Sequence, residues 1–197
     1  MRLVLASKNR HKLAEMKTIL GQLGLEVVLE SEVGVDVDVE ETGTTFEENA
    51  LLKAKAVMEA SGMAAIADDS GLEVDALNGA PGVYSARYGD KDSDAARTAY
   101  LLENMRDVPQ EQRTARFVSA IACVLPDGRV VAARGTCEGT ILFETRGSNG
   151  FGYDPVFFVP EIGMTFAEAD GECKNAISHR GNALKLFVQA WKEAGIC

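Results

Sequence analysis

Ala64-Ala65-Ile66-Ala67-Asp68-Asp69-Ser70-Gly71-Leu72 runs a short apolar strand straight into two adjacent carboxylates, a hydroxyl and a glycine. In α/β sheets ligands bind beyond the carboxyl ends of strands. Hard cations such as Mg²⁺ are held there by one or two carboxylates together with substrate phosphates. Asp, Ser and Gly are also turn formers, so taken alone the stretch reads equally well as a turn after a strand ending at Asp68.

Working outward, Arg2–Ala6 is an apolar strand. The helix after it carries Leu13, Met16, Leu20 and Leu23 at spacings of three and four and closes at Gly21 and Gly24. Leu25–Leu29 is a second strand. A polar stretch, Val35–Thr45, contains Glu40-Glu41-Thr42-Gly43 and leads to Thr45-Phe46-Glu47-Glu48. That last tetrad has capping-box spacing and opens a helix to about Ala60. Beyond Asp69, Leu72–Val74 reads as a further short strand and Asn78–Gly82 as a loop. Asp92–Met105 reads as a helix with apolar Ala95, Ala96, Ala99, Leu102 and Met105 at helical spacing. Thr114–Leu125 and Arg129–Glu138 are strands joined by Pro126-Asp127-Gly128, a hairpin signal. Val156–Val159 is a last strand. A helix from His179 or Arg180 to Glu193 turns Leu184, Phe187, Val188 and Trp191 inward. The order predicts a mixed α/β sheet with helices packed on it, in a single domain over residues 1–197.

The 197 residues suffice for one substantial core. No apolar stretch approaches the ~20 residues that span a bilayer, and the apolar start of the chain is too short for a secretory h-region, so a cytoplasmic protein without a membrane partner is expected. Cys123, Cys137, Cys173 and Cys197 show no C-x-x-C spacing, and no histidine lies near a cysteine pair, which argues for reduced thiols rather than zinc or disulfides. The net charge of −10 argues against nucleic acid as a partner, because that binding depends on Lys and Arg neutralising phosphates. A small anion in a locally positive pocket remains open, and the placement of the basic residues decides it.

Ser7-Lys8-Asn9-Arg10-His11-Lys12 gathers basic groups at the start of the first helix. Cations there oppose the helix dipole, whereas the free backbone N–H groups suit phosphate. A solvated basic surface is the bland alternative. Lys53 falls in line with Phe46, Ala50 and Val57, so it either snorkels to water or points at the Asp68-Asp69 corner or a phosphate. Phe151-Gly152-Tyr153-Asp154-Pro155 sets a planar ring beside an acid, as base-reading sites do, or else it plugs the core. Lys174-Asn175-Ala176-Ile177-Ser178-His179-Arg180-Gly181 is a polar pocket wall or an ordinary helix cap, and Arg suits planar recognition.

In this order the motifs resemble the inosine triphosphatase family, the dITP/XTP pyrophosphatases, over essentially the whole chain. They are Ser7-x-Asn9-x-x-Lys12-x-x-Glu15, Glu40-Glu41-Thr42-Gly43-x-Thr45-Phe46-x-Glu48-Asn49-Ala50, Ala67–Leu72, Gly79–Arg87, Gly150–Pro155 and Ser178–Gly181. Lys8 and His11 stand where some members carry glycine. The resemblance implies a long, twisted mixed sheet with flanking helices forming two lobes around a central cleft, and a homodimer. It implies Mg²⁺-dependent hydrolysis of purine nucleoside triphosphates (ITP, dITP, XTP) to monophosphate and pyrophosphate. Carried onto this chain, Ser7, Lys8, Asn9, Arg10, His11 and Lys12 would bind the triphosphate. Glu40 and Asp69 would hold Mg²⁺, with Asp69 the catalytic base, and Ser70 and Lys53 would line the phosphates. Glu40 is preferred to Glu41 for its spacing to Gly43, and Asp68 stays open between ligand and neighbour. Phe151 would stack on the purine, Gly152, Tyr153 and Asp154 would complete the pocket, and Lys174, His179 and Arg180 would close over the base. Arg180 could donate to the 6-keto oxygen of hypoxanthine and would meet a donor in adenine. A pyrophosphatase for modified pyrimidine nucleotides, or a nucleotide-binding regulator without turnover, are the competing readings.

Overall fold

In a computed structural model of the chain, residues 1–196 are described, Arg10 and His11 by their backbone alone. Among the described residues, seven strands lie in one mixed sheet. They are β1 (Arg2–Leu5), β2 (Glu26–Leu29), β3 (Ala65–Val74), β4 (Thr114–Val124), β5 (Val130–Ile141), β6 (Phe157–Val159) and β7 (Met164–Thr165). Their order is β2-β1-β3-β4-β5-β6-β7. β1 is parallel to β2 and β3, and β6 is antiparallel to β5 and β7. The helices are α1 (Arg10–Leu20), α2 (Phe46–Ser61), α3 (Asp94–Asn104), α4 (Gly171–Ile177) and α5 (His179–Glu193). This is the mixed α/β sheet with flanking helices that the sequence predicts. None of the helices among the described residues is long and apolar enough to cross a membrane.

The chain packs into two compact units, each with its own apolar cluster. The first is Met1–Asp69, Ser119–Gly135 and Arg180–Cys197; the second is Ser70–Val118 and Thr136–His179, and β3, β4 and β5 pass from one to the other. The first core joins Leu3 and Leu5 of β1, Met16 and Leu20 of α1, Ile66, Ile121 and Cys123 of the sheet, and Leu184, Phe187 and Trp191 of α5. The inward face read for α5 is the observed one. The capping box of α2 also forms: the Thr45 side chain accepts from Glu48 N, and the Glu48 carboxylate takes the N–H groups of Thr44 and Thr45. The hairpin closes with Leu125 N–H on Arg129 O, and Gly128 supplies the left-handed φ of +88° that the turn requires.

Around the second core, Leu72, Leu101, Met105, Phe117, Tyr153, Phe157 and Phe166 pack together. α3 buries Thr98 and Leu101. Met105 is buried in this core and Leu102 packs against it, while Ala95, Ala99 and Leu102 also line an open cavity of about 390 Å³ beside residues 145–152. Arg113 is 1% exposed and donates to the carbonyl oxygens of Met105, Val108, Ile141 and Leu142 at 2.7–3.2 Å. One guanidinium therefore ties the end of α3 to the end of β5. Methionine would fill the volume but remove this donor from all four carbonyls, of which Met105 O keeps Val108 N–H at 3.0 Å. Since each orphaned buried group costs about 1–3 kcal/mol, Arg113→Met is expected to lower stability by roughly 3 kcal/mol or more. Thermal unfolding would read this as a fall of about 6–12 °C, and a shift under about 2 °C would contradict it.

Cys123, Cys137 and Cys173 are free thiols. Burial pushes Cys123 up to about 12, and burial followed by the charges of Glu161 and Glu138 pushes Cys137 up to about 11, so both stay protonated packing groups. Cys197 lies outside the described residues.

Candidate active site

The decisive stretch is not a strand followed by a turn. β3 continues from Ala65 through Val74, so Asp68, Asp69 and Ser70 lie inside it and Leu72–Val74 is no separate strand. What ends is the neighbour. β1 pairs with β3 only at Val4–Ala65 and Leu5–Ile66. Val4 N–H and Ala6 N–H fill the carbonyls of Ala64 and Ile66, each at 2.9 Å. The next carbonyl on that edge is Asp68 O, since alternate residues face the same neighbour. β1 has stopped by then, and Asp68 O accepts from Lys12 Nζ at 3.1 Å and Lys53 Nζ at 3.3 Å. Two ammonium groups thus replace a missing strand, just past the carboxyl end of β1.

Strand geometry sends the two acids to opposite faces. Asp68 is 1% exposed. One of its oxygens takes the Ser119 hydroxyl; the other meets Lys12 Nζ at 2.7 Å and the Arg180 guanidinium at 3.4 Å. Burial alone would raise its pKa, but Arg180 and Lys12 outweigh burial and hold the carboxyl well below the usual range. Asp68 is thereby an internal anion that orients Lys12. Asp69 meets Lys53 Nζ at 2.6 Å, and Glu41 meets the same nitrogen at 2.9 Å. Burial, joined by the Glu41 charge, lifts Asp69 above the ordinary carboxylate value against the pull of Lys53. Lys53 therefore does not snorkel. Its own pKa is raised: burial works against the charge, and Asp69 and Glu41 overcome it.

The structure brings Glu41 to this cluster, while Glu40, preferred from its spacing to Gly43, is exposed. The reason is periodicity. From Val35 to Glu40 exposure alternates, with Asp36, Asp38 and Glu40 outward, so Glu41 falls in phase with Val35, Val37 and Val39. Two carboxylates face one ammonium, an excess of negative charge in an all-oxygen donor set. That fits one hard divalent cation, since Mg²⁺ takes one or two carboxylates and fills its remaining positions from water and phosphate. Among the described residues no group of three His, Cys, Asp or Glu side chains converges as an all-protein cage.

At the start of α1, Ser7 Oγ accepts from Asn9 N–H at 3.1 Å, and Asn9 Oδ1 accepts from Lys12 N–H at 3.3 Å. Lys8 is exposed and pairs with Asp36 at 2.7 Å. The side chains of Arg10 and His11 lie outside the described residues. Ser70 follows Asp69 in β3, half-buried.

The second unit carries the aromatic loop. Phe151 is 52% exposed, and Lys174 Nζ sits 4.8 Å from its ring centre and 2.5 Å from Asp154 Oδ2. Asp154 also accepts from Phe151 N–H at 2.9 Å. The N-terminal half of α3 holds the loop by both backbone groups of Gly152: its N–H donates to Asp94 at 2.7 Å, and its carbonyl accepts from Thr98 at 3.2 Å. Tyr153 turns the other way. It is buried, and its hydroxyl donates to Ser85 O at 2.8 Å. That contact gives the Gly79–Arg87 motif a role, because Ser85 Oγ also takes Leu72 N–H at 2.9 Å. His179 is buried and stacks on Phe117 with ring centres 4.9 Å apart. Arg180, read as closing over the base, places its guanidinium on Asp68 and on Glu15 at 2.9 Å. Sequence reasoning missed Asp94, Thr98 and Ser119 as positioning groups; none carries a spacing that announces it.

An α/β sheet with lysines and carboxylates gathered past the end of a parallel strand is the arrangement of a phosphate-handling protein. The comparisons sharpen the class: the Ham1 family model matches residues 3–190, and the chain belongs to that family. A dITP/XTP pyrophosphatase of Desulforamulus reducens is 54% identical, covering 96% of this chain and 94% of the relative, and one of Thermus thermophilus is 50% identical over 98% and 93%. The solved Ham1 protein of Staphylococcus aureus matches with a TM-score of 0.90 at 45% identity, covering all of both chains.

Proposed function

We infer that this protein hydrolyses noncanonical purine nucleoside triphosphates, dITP, ITP and XTP, to the monophosphate and pyrophosphate, which keeps them out of nucleic acid. The carrying observation is the Asp69–Lys53–Glu41 cluster beside Lys12, in a chain half identical to dITP/XTP pyrophosphatases along nearly its whole length.

Lys12 and Lys53 take phosphate charge, helped by Ser70 and the backbone N–H groups at the start of α1. Asp69 accepts the proton of the attacking water, the anhydride between the α and β phosphoryl groups breaks, and pyrophosphate leaves. Positioning and charge neutralisation dominate such chemistry. Glu41 and Asp69 would hold Mg²⁺, which supplies Lewis acidity at phosphoryl oxygens when bound. Phe151 stacks on the purine, and Lys174 and Asp154 address its edge. Arg180 acts through Asp68 rather than on the base. The proposal includes a cytoplasmic site of action, in keeping with three free thiols, and the homodimer that the motif resemblance implies.

Incubation with ITP, XTP, dITP, ATP and GTP in Mg²⁺ tests the reading. Monophosphate and pyrophosphate are expected from the first three and little product from the last two. Orthophosphate would place the attack at another phosphorus. Binding without turnover would favour the regulator.

A further inference from the structure

Asn49 takes no part in the chemistry above, yet its environment is unusual. It lies in the first turn of α2 and is 0% exposed. Its Oδ1 accepts from Gly43 N–H at 2.8 Å, while its Nδ2 has no hydrogen-bond partner among the described residues. A buried donor left unpaired bears its full desolvation cost. The carboxamide is therefore poorly explained by stability, and what it supplies is one acceptor for the backbone of the 41–43 loop.

Gly43 is shaped to that acceptor. A Cβ at this position would stand 2.6 Å from Asn49 Oδ1 and 2.7 Å from Glu48 Cβ. Its backbone φ is not in the left-handed region, so close approach, not conformation, requires glycine here. Glu41 lies two residues earlier, and its carboxylate meets Lys53, four residues after Asn49 on the same helix face. α2 thus grips one loop at two levels, by Asn49 at the Gly43 backbone and by Lys53 at the Glu41 carboxylate.

We propose that Asn49, seated against Gly43, is a positioning residue that holds Glu41 in place to bind the divalent cation. The proposal rests on Glu41 being one of the cation's ligands. Groups that orient ligands typically contribute about 10- to 100-fold in metal affinity.

Mn²⁺ binding to the intact protein without nucleotide, followed by electron paramagnetic resonance, is the test, with circular dichroism to check folding. Asn49→Ala and Gly43→Ala are each expected to weaken Mn²⁺ about 10- to 100-fold. The double variant should be no weaker than the worse single, because both changes break one contact. If Asn49→Ala does not fold, Gly43→Ala decides, since it disturbs the same contact from the loop side. Folded variants that bind Mn²⁺ within about twofold of wild type, while Glu41→Gln loses binding, would overturn the role of Asn49 alone. Wild-type binding by Glu41→Gln would overturn the underlying ligand assignment and the proposal with it.

Discussion

Asp69→Asn is expected to abolish pyrophosphate release while leaving the fold intact. The substitution preserves shape, and an asparagine oxygen can still accept from Lys53, which sits 2.6 Å from Asp69 in the wild type. What disappears is a charge with two tasks. As a base, Asp69 contributes about 10²–10⁴ in rate, and losing a cation ligand adds to that. The cost to stability runs the other way. Asp69 and Glu41 share one ammonium, and burial together with the Glu41 charge disfavours the Asp69 carboxylate. Removing one of the two negative charges leaves Lys53 and Glu41 as a balanced pair. Thermal unfolding should therefore give a midpoint equal to or above that of the wild type, measured without added metal. Turnover of ITP within about tenfold of wild type would remove Asp69 from the mechanism, and a large fall in midpoint would mean that its role is structural.

Much of this site is legible in the residues, and the parts that are not share a cause. The α2 capping box, the hairpin at Pro126-Asp127-Gly128 and the inward face of α5 follow from local chemistry that the fold leaves undisturbed. Lys53 stands out because a charge on an apolar stripe needs a partner. The continuity of β3 is hidden because Asp68, Asp69 and Ser70 are poor strand formers, and their partners Lys12, Ser119 and Lys53 come from distant segments. Tertiary pairing overrides propensity there. The alternation of Val35, Val37 and Val39 puts Glu41 in phase with the inward residues, whereas spacing to a glycine fixes no direction. The two residues of β7 and the seven of α4 are too short to show a period. Tyr153 sits in a motif that resembles a base pocket, and only packing shows its hydroxyl on Ser85.

Arg180→Leu is expected to be the most destabilising single change in the first unit, and the reason is Asp68. That carboxylate is buried, and its charge is tolerated because Arg180, Lys12 and Ser119 surround it. Removing one partner of a buried pair costs about 3–5 kcal/mol, because the remaining charge is left uncompensated, and Glu15 loses its partner as well. For a chain of this size the expected fall is roughly 6–20 °C in thermal midpoint. The acid limb should move too. A carboxyl whose folded pKa is depressed contributes stability that is complete above its ordinary value near 3.8 and is lost as pH falls through the folded value. Without Arg180 the folded value climbs back toward the ordinary one, so acid unfolding should begin at higher pH. Asp68→Asn combined with Arg180→Leu should lose less than the sum of the two singles, because each change removes the charge that the other would strand. An unchanged midpoint in Arg180→Leu would mean that Lys12 and Ser119 suffice for Asp68. Arg180 would then be available to the base, and the ratio of ITP to ATP turnover in the folded variant would decide: a narrowed ratio assigns the guanidinium to reading the 6-keto oxygen, and an unchanged ratio confines it to the anion it holds.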